Sequence, residues 1–381
     1  MEKENKNSKI KKLKDKKLPW IILVIISAVI GVLRGINGVE INMPLDRILL
    51  LMGILFVTFI ITFMIHVILH EGGHLIFGLL SGYKFVSFRV GNLTLVKEDD
   101  KFAIKKFKIA GTAGQCLMMP GSDNYKECSY VLYNLGGIIM NLITSILCFV
   151  IYTFIPTNGY IKVVLFTMAV VGLLIFVTNG IPMKIGGIAN DGYNLISIMK
   201  DDLMKYCMHT KLKVNGLLSS GMRIKDMPTT WFELDEKCDY SNPLITSLKC
   251  MEANYYTDKR DFNKAKECCE FLLNYNPKII SLYEKELQCD LLFYEIIGNK
   301  DENKINKLYT KQLQKYIKAT DCYISRKRLM YAYHLFIEKD LKKCEQILKE
   351  VEKLKKTYPI KAEIESEVEL IDYVKKLQVA Q

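Results

Sequence analysis

Long apolar runs separated by short polar segments fill the first half of the chain, and an amphipathic helical pattern fills the second half. The apolar runs at 18–33 (extending to 36 if Arg34 reaches the membrane interface), 48–80, 129–155 and 162–181 predict four membrane-spanning helices, because about 20 apolar residues cross a bilayer. The run at 48–80 is too long for one straight span. It predicts a helix that either tilts or continues into the cytosolic interface.

A period-two pattern interrupts the helical runs between residues 84 and 109. Val86, Phe88 and Val90 alternate with their neighbours, and Gly91-Asn92 then breaks the strand. A second alternating segment runs from 102 to 109. The pattern predicts a β-hairpin beside the membrane at 84–109, followed by a glycine-rich loop at 111–120. The exposed edge of such a hairpin could pair with an extended peptide, or the hairpin could be a purely structural cover.

The second half of the chain predicts a linker at 201–240 and a soluble helical-hairpin domain at 241–381. Segments 254–277 and 331–359 share one scheme of helix, turn and helix, with Asp261-Phe262 matching Asp340-Leu341. This scheme resembles degenerate tetratricopeptide-type hairpins, which implies an α-solenoid-like domain and a protein partner on its concave face. A plain helical bundle is the alternative. The predicted fold class is therefore mainly α, a polytopic membrane protein with a small β-hairpin and a soluble helical C-terminal domain.

The charge distribution indicates which side of the membrane each part occupies. The net charge is +12, and the lysines concentrate in residues 1–17 and 84–126, next to apolar spans. This arrangement suits an anionic membrane surface better than nucleic acid. It predicts a cell-membrane protein with a basic cytosolic tail at 1–17, an uncleaved first span and a cytosolic C-terminal domain.

The eleven cysteines are scattered and include no C-x-x-C pair. They support neither a disulfide framework nor a structural zinc cluster. They are typical of buried residues in a reducing compartment.

The apolar run at 48–80 contains the sequence His70-Glu71-Gly72-Gly73-His74. Residues i and i+4 share one face of a helix, so both imidazoles can bind one zinc ion while the intervening glutamate lies beside the metal. Zinc lowers the pKa of a bound water, and Glu71 can take its proton. The alternative is a pair of membrane-helix histidines that pack against neighbouring helices.

Two further groups of residues lie at the ends of the third and fourth spans. The third span contains Gly136, Gly137 and Asn141, where small residues allow close helix contact. Pro182 ends the fourth span, and Asp191 follows after an irregular segment. Asp191 could equally be a solvated residue or a helix N-cap. Four alternating spans place all these residues on the cytosolic side, together with the histidine pair.

The three motifs resemble those of the site-2 protease family of intramembrane zinc metalloproteases. The resemblance covers about residues 48–200, within a predicted protease domain at 18–200. It implies these roles: zinc ligands His70, His74 and Asp191, general base Glu71, and Asn141 and Asn179 as residues that position substrate or support the site.

The third metal ligand is the point at which this chain departs from the family pattern. Asp191 follows Pro182 by nine residues, and the usual spacing in the family is shorter. A longer loop could still return Asp191 to the metal. His66 is the alternative, because His66, His70 and His74 form an i, i+4, i+8 series on one helix face.

The sequence therefore predicts an intramembrane zinc metalloprotease that cleaves membrane-embedded or membrane-adjacent peptides. Its expected partners are the lipid bilayer and a peptide or membrane-protein substrate. The alternative is a membrane-anchored helical-repeat scaffold or receptor with a vestigial metal site.

Overall fold

The computed structural model describes residues 44–98, 101–107, 109, 112–185 and 188–379. Within these residues, three helices are long and apolar enough to cross a membrane: α1 (Leu45–Leu80), α2 (Tyr130–Phe154) and α3 (Gly159–Gly180). They coincide with the second, third and fourth predicted spans. The predicted span at 18–33 and the tail at 1–17 lie outside the described residues, so the structure gives three candidate spans and the total of four stays a prediction.

Helix α1 is one continuous helix of 36 residues. At 1.5 Å per residue it is about 54 Å long, well beyond the roughly 30 Å hydrocarbon core of a bilayer. Large apolar side chains such as Leu50 and Phe56 are exposed along its first half. The composition of α1 suits contact with lipid, and its excess length agrees with a helix that tilts or extends beyond the membrane core.

The chain divides into two compact units, and α1 contributes to both. The first unit comprises Met1–His66 and Asn141–Val177, and the second comprises Val67–Met140 and Thr178–Gln381. The second unit therefore contains the His-Glu-x-x-His segment, the β-sheet and the helical C-terminal region.

A four-stranded antiparallel sheet follows α1. Its strands are β1 (Lys84–Val90), β2 (Leu93–Glu98), β3 (Lys101–Lys106) and β4 (Gly114–Met119), in the spatial order β3-β2-β1-β4. Gly91, where the sequence predicts a break in the strand, makes the tight β1–β2 turn with φ of 60°, and strand β2 after it was not predicted.

The predicted two-stranded hairpin at 84–109 was thus incomplete, and part of the predicted loop at 111–120 is strand β4. A two-stranded ribbon is marginally stable alone, whereas further strands share its hydrogen bonds and cover its apolar face. The alternation of buried Cys116 and Met118 in β4 is the signal that the neighbouring glycines obscured.

The C-terminal region is helical. A short two-stranded ribbon, β5 (Lys184–Ile185) and β6 (Ile188–Ala189), precedes it. The helices are α4 (Asp191–Lys200), α5 (Asp202–Ser219), α6 (Pro243–Asp258), α7 (Phe262–Asn274), α8 (Ser281–Ile297), α9 (Glu302–Leu308), α10 (Lys311–Ala319), α11 (Ile324–Tyr333), α12 (Leu341–Thr357) and α13 (Lys361–Val379). The segment predicted as a linker, 201–240, contains α5, whose buried Cys207 and Leu212 belong to the main hydrophobic core.

The two segments that the sequence pairs as repeats have the same local structure. Helices α6 and α7 join at Arg260, and α12 follows α11 through a π-helical turn that ends at Lys339; both residues have positive φ, 63° and 55°. Asp261 and Asp340 then cap α7 and α12 through their side chains. Both segments thus consist of two helices joined by a turn, and the tetratricopeptide-like, solenoid arrangement of the domain stays a prediction.

Candidate metal centre

Helix α1 brings together the three polar residues of the His-Glu-x-x-His segment. His70, Glu71 and His74 are all more than nine-tenths buried, at 8%, 9% and 7% exposure. One helical turn separates the two histidines, so their side chains lie on the same face. Their Nε2 atoms approach to 3.2 Å. Two ring nitrogens at this distance can bind the same metal ion.

His74 is oriented by the helix that follows the sheet. Its Nδ1 lies 2.7 Å from the main-chain oxygen of Tyr133, in the first turn of α2. A carbonyl oxygen can only accept, so Nδ1 carries the hydrogen and Nε2 presents its lone pair. Tyr133 thereby holds His74 in the tautomer that binds a metal.

Asp191 reaches the histidines because Asn190 fixes the chain just before it. The Asn190 side chain caps α4 by accepting from the Tyr193 N–H, and it also accepts from the Met183 N–H at 3.1 Å. Its amide group donates to the carbonyl oxygens of Thr178 and Ile181. Because Asn190 caps the helix, the carboxylate of Asp191 is not needed as a cap and is available to bind a metal.

The extra residues between Pro182 and Asp191 form the β5–β6 ribbon. Strand partners Lys184 and Ala189 bring the two ends of the segment back together, and the Asn190 N–H donates to the Met183 oxygen at 3.1 Å. The ribbon explains how a longer loop still returns Asp191 to the two histidines. The extra length of the loop is therefore taken up by local structure.

The three donor atoms converge on one point. Asp191 Oδ2 lies 3.0 Å from His70 Nε2 and 3.5 Å from His74 Nε2. A tetrahedral zinc with bonds of about 2.0–2.2 Å separates its ligand atoms by about 3.3–3.6 Å. The separation between His74 Nε2 and Asp191 Oδ2, 3.5 Å, falls within this range, and the other two, 3.0 Å and 3.2 Å, are slightly shorter, so small movements of the side chains would admit the ion. Two nitrogens with one carboxylate oxygen are a donor set that zinc accepts.

The charge state of Asp191 also suits a ligand. Burial by itself would raise the pKa of this carboxyl group, but His74 and His70 in their protonated form, through their charges and hydrogen bonds, lower the pKa below its ordinary value. When the neutral histidines bind zinc, the ion supplies the positive charge in their place. Asp191 is therefore ionised, as a metal ligand must be.

Glycines on α2 make room for the histidine side of the site. A Cβ atom at Gly137 would lie 2.6 Å from both Cε1 and Nε2 of His70. Gly136 packs against the main chain of Gly73, where an added Cβ would lie 2.5 Å from the Gly73 oxygen. The close helix contact predicted for Gly136 and Gly137 is present, and Gly137 specifically clears the space that the His70 ring occupies.

Substituting Gly137 by Ala is expected to displace the His70 ring and weaken zinc binding by about 10- to 100-fold, because small shifts of ligand-orienting groups have effects of this size. Competition with a fluorescent zinc chelator measures the change. Gly53→Ala is the matched control, since no atom lies within 4 Å of the Cβ position at this helical glycine. An unchanged zinc affinity in Gly137→Ala would show that His70 is not confined by α2.

The sheet covers Glu71. The Cys116 N–H donates to the Glu71 carboxylate, and the Cys116 oxygen accepts from the Tyr133 hydroxyl at 2.9 Å. The main chain at Gly114 lies so close that a Cβ there would be 2.6 Å from Glu71 Oε1. The Cys116 N–H and carbonyl group, which face away from the sheet, therefore both have partners. A substrate peptide could not pair with β4 at this residue, which favours the interpretation of the sheet as a structural cover of the site.

His66 and Asn141 lie together in the first unit. His66 Nδ1 is 3.0 Å from Asn141 Oδ1, and His66 Nε2 is 2.9 Å from the Met168 oxygen. Gly172 leaves room for the ring, because a Cβ there would lie 2.4 Å from His66 Cε1. Both ring nitrogens of His66 have protein partners, so Asp191 is favoured over His66 as the third ligand. Asn141, whose role in the site stays a prediction, is fully buried beside His66.

Asn179 lies in the last turn of α3, close to the start of α4. A Cβ at Gly192 would be 3.0 Å from the Asn179 oxygen and 2.2 Å from the Gly180 oxygen. Asn179 is therefore next to the segment that carries Asp191. Its predicted role in positioning substrate stays a prediction.

Sequence reasoning did not find Tyr133, Cys116 or Asn190 as supporting residues. Tyr133 and Cys116 act mainly through main-chain groups, which leave no signature in residue type. The sequence offered Asp191 itself as a candidate N-cap, whereas in the structure the cap is Asn190.

A model of the family described as Peptidase family M50 matches residues 58–372, which is more than half of the chain. The matched region contains the histidine pair, Asp191 and most of the helical C-terminal region. Comparisons with curated proteins and with solved structures gave no significant match.

Proposed function

The chain belongs to peptidase family M50, the site-2 protease family of intramembrane metalloproteases, and we propose that it is a zinc endopeptidase with Glu71 as its general base. Proteins of this family are in general zinc-dependent. The three candidate spans agree with a membrane protein. A cytosolic position of the site and of the C-terminal region remains our prediction from the charge distribution.

The proposal rests on the convergence of His70, His74 and Asp191. Three potential ligands from two distant segments bring their donor atoms within 4.8 Å of one another, with both histidines buried near the end of an apolar helix and Asp191 partly exposed. Ionisable groups at membrane depth are costly and are usually retained for function. A glutamate beside the two histidines completes the set needed for hydrolysis.

We propose the following roles in peptide hydrolysis. Zinc held by His70, His74 and Asp191 would supply Lewis acidity, which polarises the scissile carbonyl and acidifies a water molecule. Glu71 takes a proton from the attacking water and later delivers it to the leaving amine nitrogen. The Cys116 N–H holds the Glu71 carboxylate, and the Tyr133 oxygen holds His74 in the required tautomer.

The substrate must expose its main chain to the site. A membrane-spanning helix hides its carbonyl groups in internal hydrogen bonds, so it has to unwind locally before cleavage. Gly72 leaves an open surface next to Glu71, with no atom within 4 Å of its Cβ position, whereas Gly73 packs against α2. We infer that the substrate main chain approaches over Gly72.

A protein partner on the helical C-terminal region is a further part of the proposal. A cavity of about 350 Å³ lies between the helices and the segment after β3, where Phe107 packs on Tyr358 with ring centres 4.9 Å apart. Its size is in the usual range for ligand pockets, which supports a role in recruiting substrate or partner. The Glu71→Gln variant provides the test, because it should bind a substrate without cleaving it. Cross-linking then shows which residues of the protein contact the bound substrate.

Removal of the metal is expected to abolish cleavage, because His70, His74 and Asp191 alone cannot polarise a carbonyl. The protein is reconstituted in vesicles with a panel of fluorescent single-span membrane peptides, treated with a chelator and then resupplied with zinc. We expect activity to fall by at least about 10³-fold and to return with zinc, as expected for catalysis by a metal ion.

A chelator treatment that leaves the cleavage rate unchanged would contradict the proposal. The scaffold alternative makes the opposite prediction, namely that the cellular function survives both chelation and the loss of Glu71.

A further inference from the structure

Arg89 is a fully buried arginine in the centre of the sheet. It lies in β1 and is only 1% exposed. Its described hydrogen bonds all go to main-chain or hydroxyl oxygens: Nη1 donates to the Gly91 oxygen at 2.8 Å and the Thr112 oxygen at 3.4 Å, and Nη2 donates to the Thr112 hydroxyl and to the Gly114 oxygen at 3.1 Å. One guanidinium therefore joins the β1–β2 turn to the segment 112–114, where β4 begins.

Burying a cation in this way is costly. Desolvation lowers the pKa of Arg89, and its Nε has no hydrogen-bond partner among the residues that the structure describes. A neutral side chain would fill the same space without the desolvation cost. An arginine is useful here because its planar fork can donate to several oxygens at fixed positions, which a lysine cannot do.

The strand that Arg89 holds is the one in contact with Glu71. Gly114, whose oxygen accepts from Arg89, lies against the Glu71 carboxylate, and Cys116, two residues further along β4, donates its N–H to the same carboxylate. The Cys116 oxygen is in turn fixed by the Tyr133 hydroxyl. The position of Glu71 thus depends on where β4 begins, and Arg89 fixes that point.

We propose that Arg89 is a positioning residue for the reaction: it clamps the start of β4 so that Gly114 and Cys116 hold the Glu71 carboxylate in place. A general base must lie within hydrogen-bond reach of the water that it deprotonates. A displacement of about 1 Å can lower a rate by about 10²-fold. The inference rests on the proposed function in one respect, since it takes Glu71 as the base.

Two substitutions test the clamp with different severity. Arg89→Lys keeps the charge but cannot donate to Gly91, Thr112 and Gly114 at the same time, and Thr112→Val removes only the hydroxyl contact. We expect kcat to fall by about 10- to 100-fold in Arg89→Lys and by about 3-fold in Thr112→Val, with KM changed by less than about 2-fold, because the substrate contacts are unchanged. Lys101→Gln is the matched control, as Lys101 is an exposed cation on β3 of the same sheet.

Hydrogen exchange provides a readout that does not require activity. In wild-type protein we expect the hydrogen bond to Glu71 to protect the Cys116 amide from exchange. We expect the peptide covering 112–119 to exchange at least about 10-fold faster in Arg89→Lys than in wild type or Lys101→Gln, because a bond that opens more often exchanges faster. Zinc content should be the same in all these variants, since none of the substituted residues is a proposed ligand.

The outcomes separate this inference from the proposed function. Unchanged kcat and unchanged exchange in both Arg89→Lys and Thr112→Val would overturn the clamp, whatever Glu71 does. A loss of zinc in Thr112→Val, or a rise of KM at constant kcat, would also contradict it. If the wild-type protein cleaves no peptide, the proposed function fails, and the exchange rates still decide whether Arg89 holds β4 against Glu71.

Discussion

Replacing Glu71 by Gln is expected to lower the rate of peptide cleavage by about 10²- to 10⁴-fold while zinc remains bound, because the amide cannot take a proton from water. The substitution keeps the size of the side chain, and its remaining oxygen can still accept the Cys116 N–H. Cleavage of membrane peptides in vesicles gives the rate, and metal analysis of the same sample gives the zinc content.

Glu365→Gln is the matched control, because Glu365 is an exposed glutamate on α13. Its activity should equal that of the wild type. A Glu71→Gln protein that cleaves at the wild-type rate would exclude Glu71 as the general base.

Cross-links from a substrate trapped by Glu71→Gln to residues around the cavity near Tyr358 would support recruitment of substrate by the helical C-terminal region. Cross-links confined to residues 44–200 would contradict it.

Replacing Asp191 by Ala is expected to remove zinc from the purified protein, because two histidines alone bind the ion weakly. Structural and catalytic zinc sites have at least three protein ligands, so we expect the affinity to fall by at least about 10²-fold. His74→Ala should have the same effect. Metal analysis of detergent-purified protein at about one equivalent of added zinc detects the loss.

His66→Ala distinguishes the two candidates for the third ligand. His66 is bonded to Asn141 and Met168, so its removal should leave the zinc content unchanged while lowering thermal stability. Zinc that survives Asp191→Ala but not His66→Ala would reverse the assignment. Asp202→Asn, an exposed residue at the start of α5, controls for the loss of a nearby carboxylate.

The histidine pair and its glutamate were accessible from sequence because their geometry is local. A helix fixes the relation between residues i and i+4 without any tertiary contact, and the surrounding apolar run already identified the helix. The second, third and fourth spans were predictable for the same reason, and so were the helical turns capped by Asp261 and Asp340.

The sheet was only partly predictable. Strand β1 and the Gly91 turn have clear local signals, whereas β4 begins with Gly114 and was taken for a loop. Its membership in the sheet depends on pairing with β1, and pairing between distant segments is not encoded in the residues of one strand. The contact of Gly114 and Cys116 with Glu71 was therefore hidden as well.

By itself, the sequence determined that α1 carries two histidines and a glutamate on an apolar helix, and it offered Asp191 and His66 as rival third ligands. Only the tertiary structure favours one of them, Asp191, and its role as a ligand stays a prediction. The β5–β6 ribbon and the Asn190 cap bring Asp191 Oδ2 to 3.0 Å from His70 Nε2. Both ring nitrogens of His66 are instead hydrogen-bonded, to the Asn141 side chain and to the Met168 main-chain oxygen. The physical reason is that ligand spacing within one helix is fixed by helical geometry, whereas the approach of a ligand from another segment depends on the packing of the whole unit.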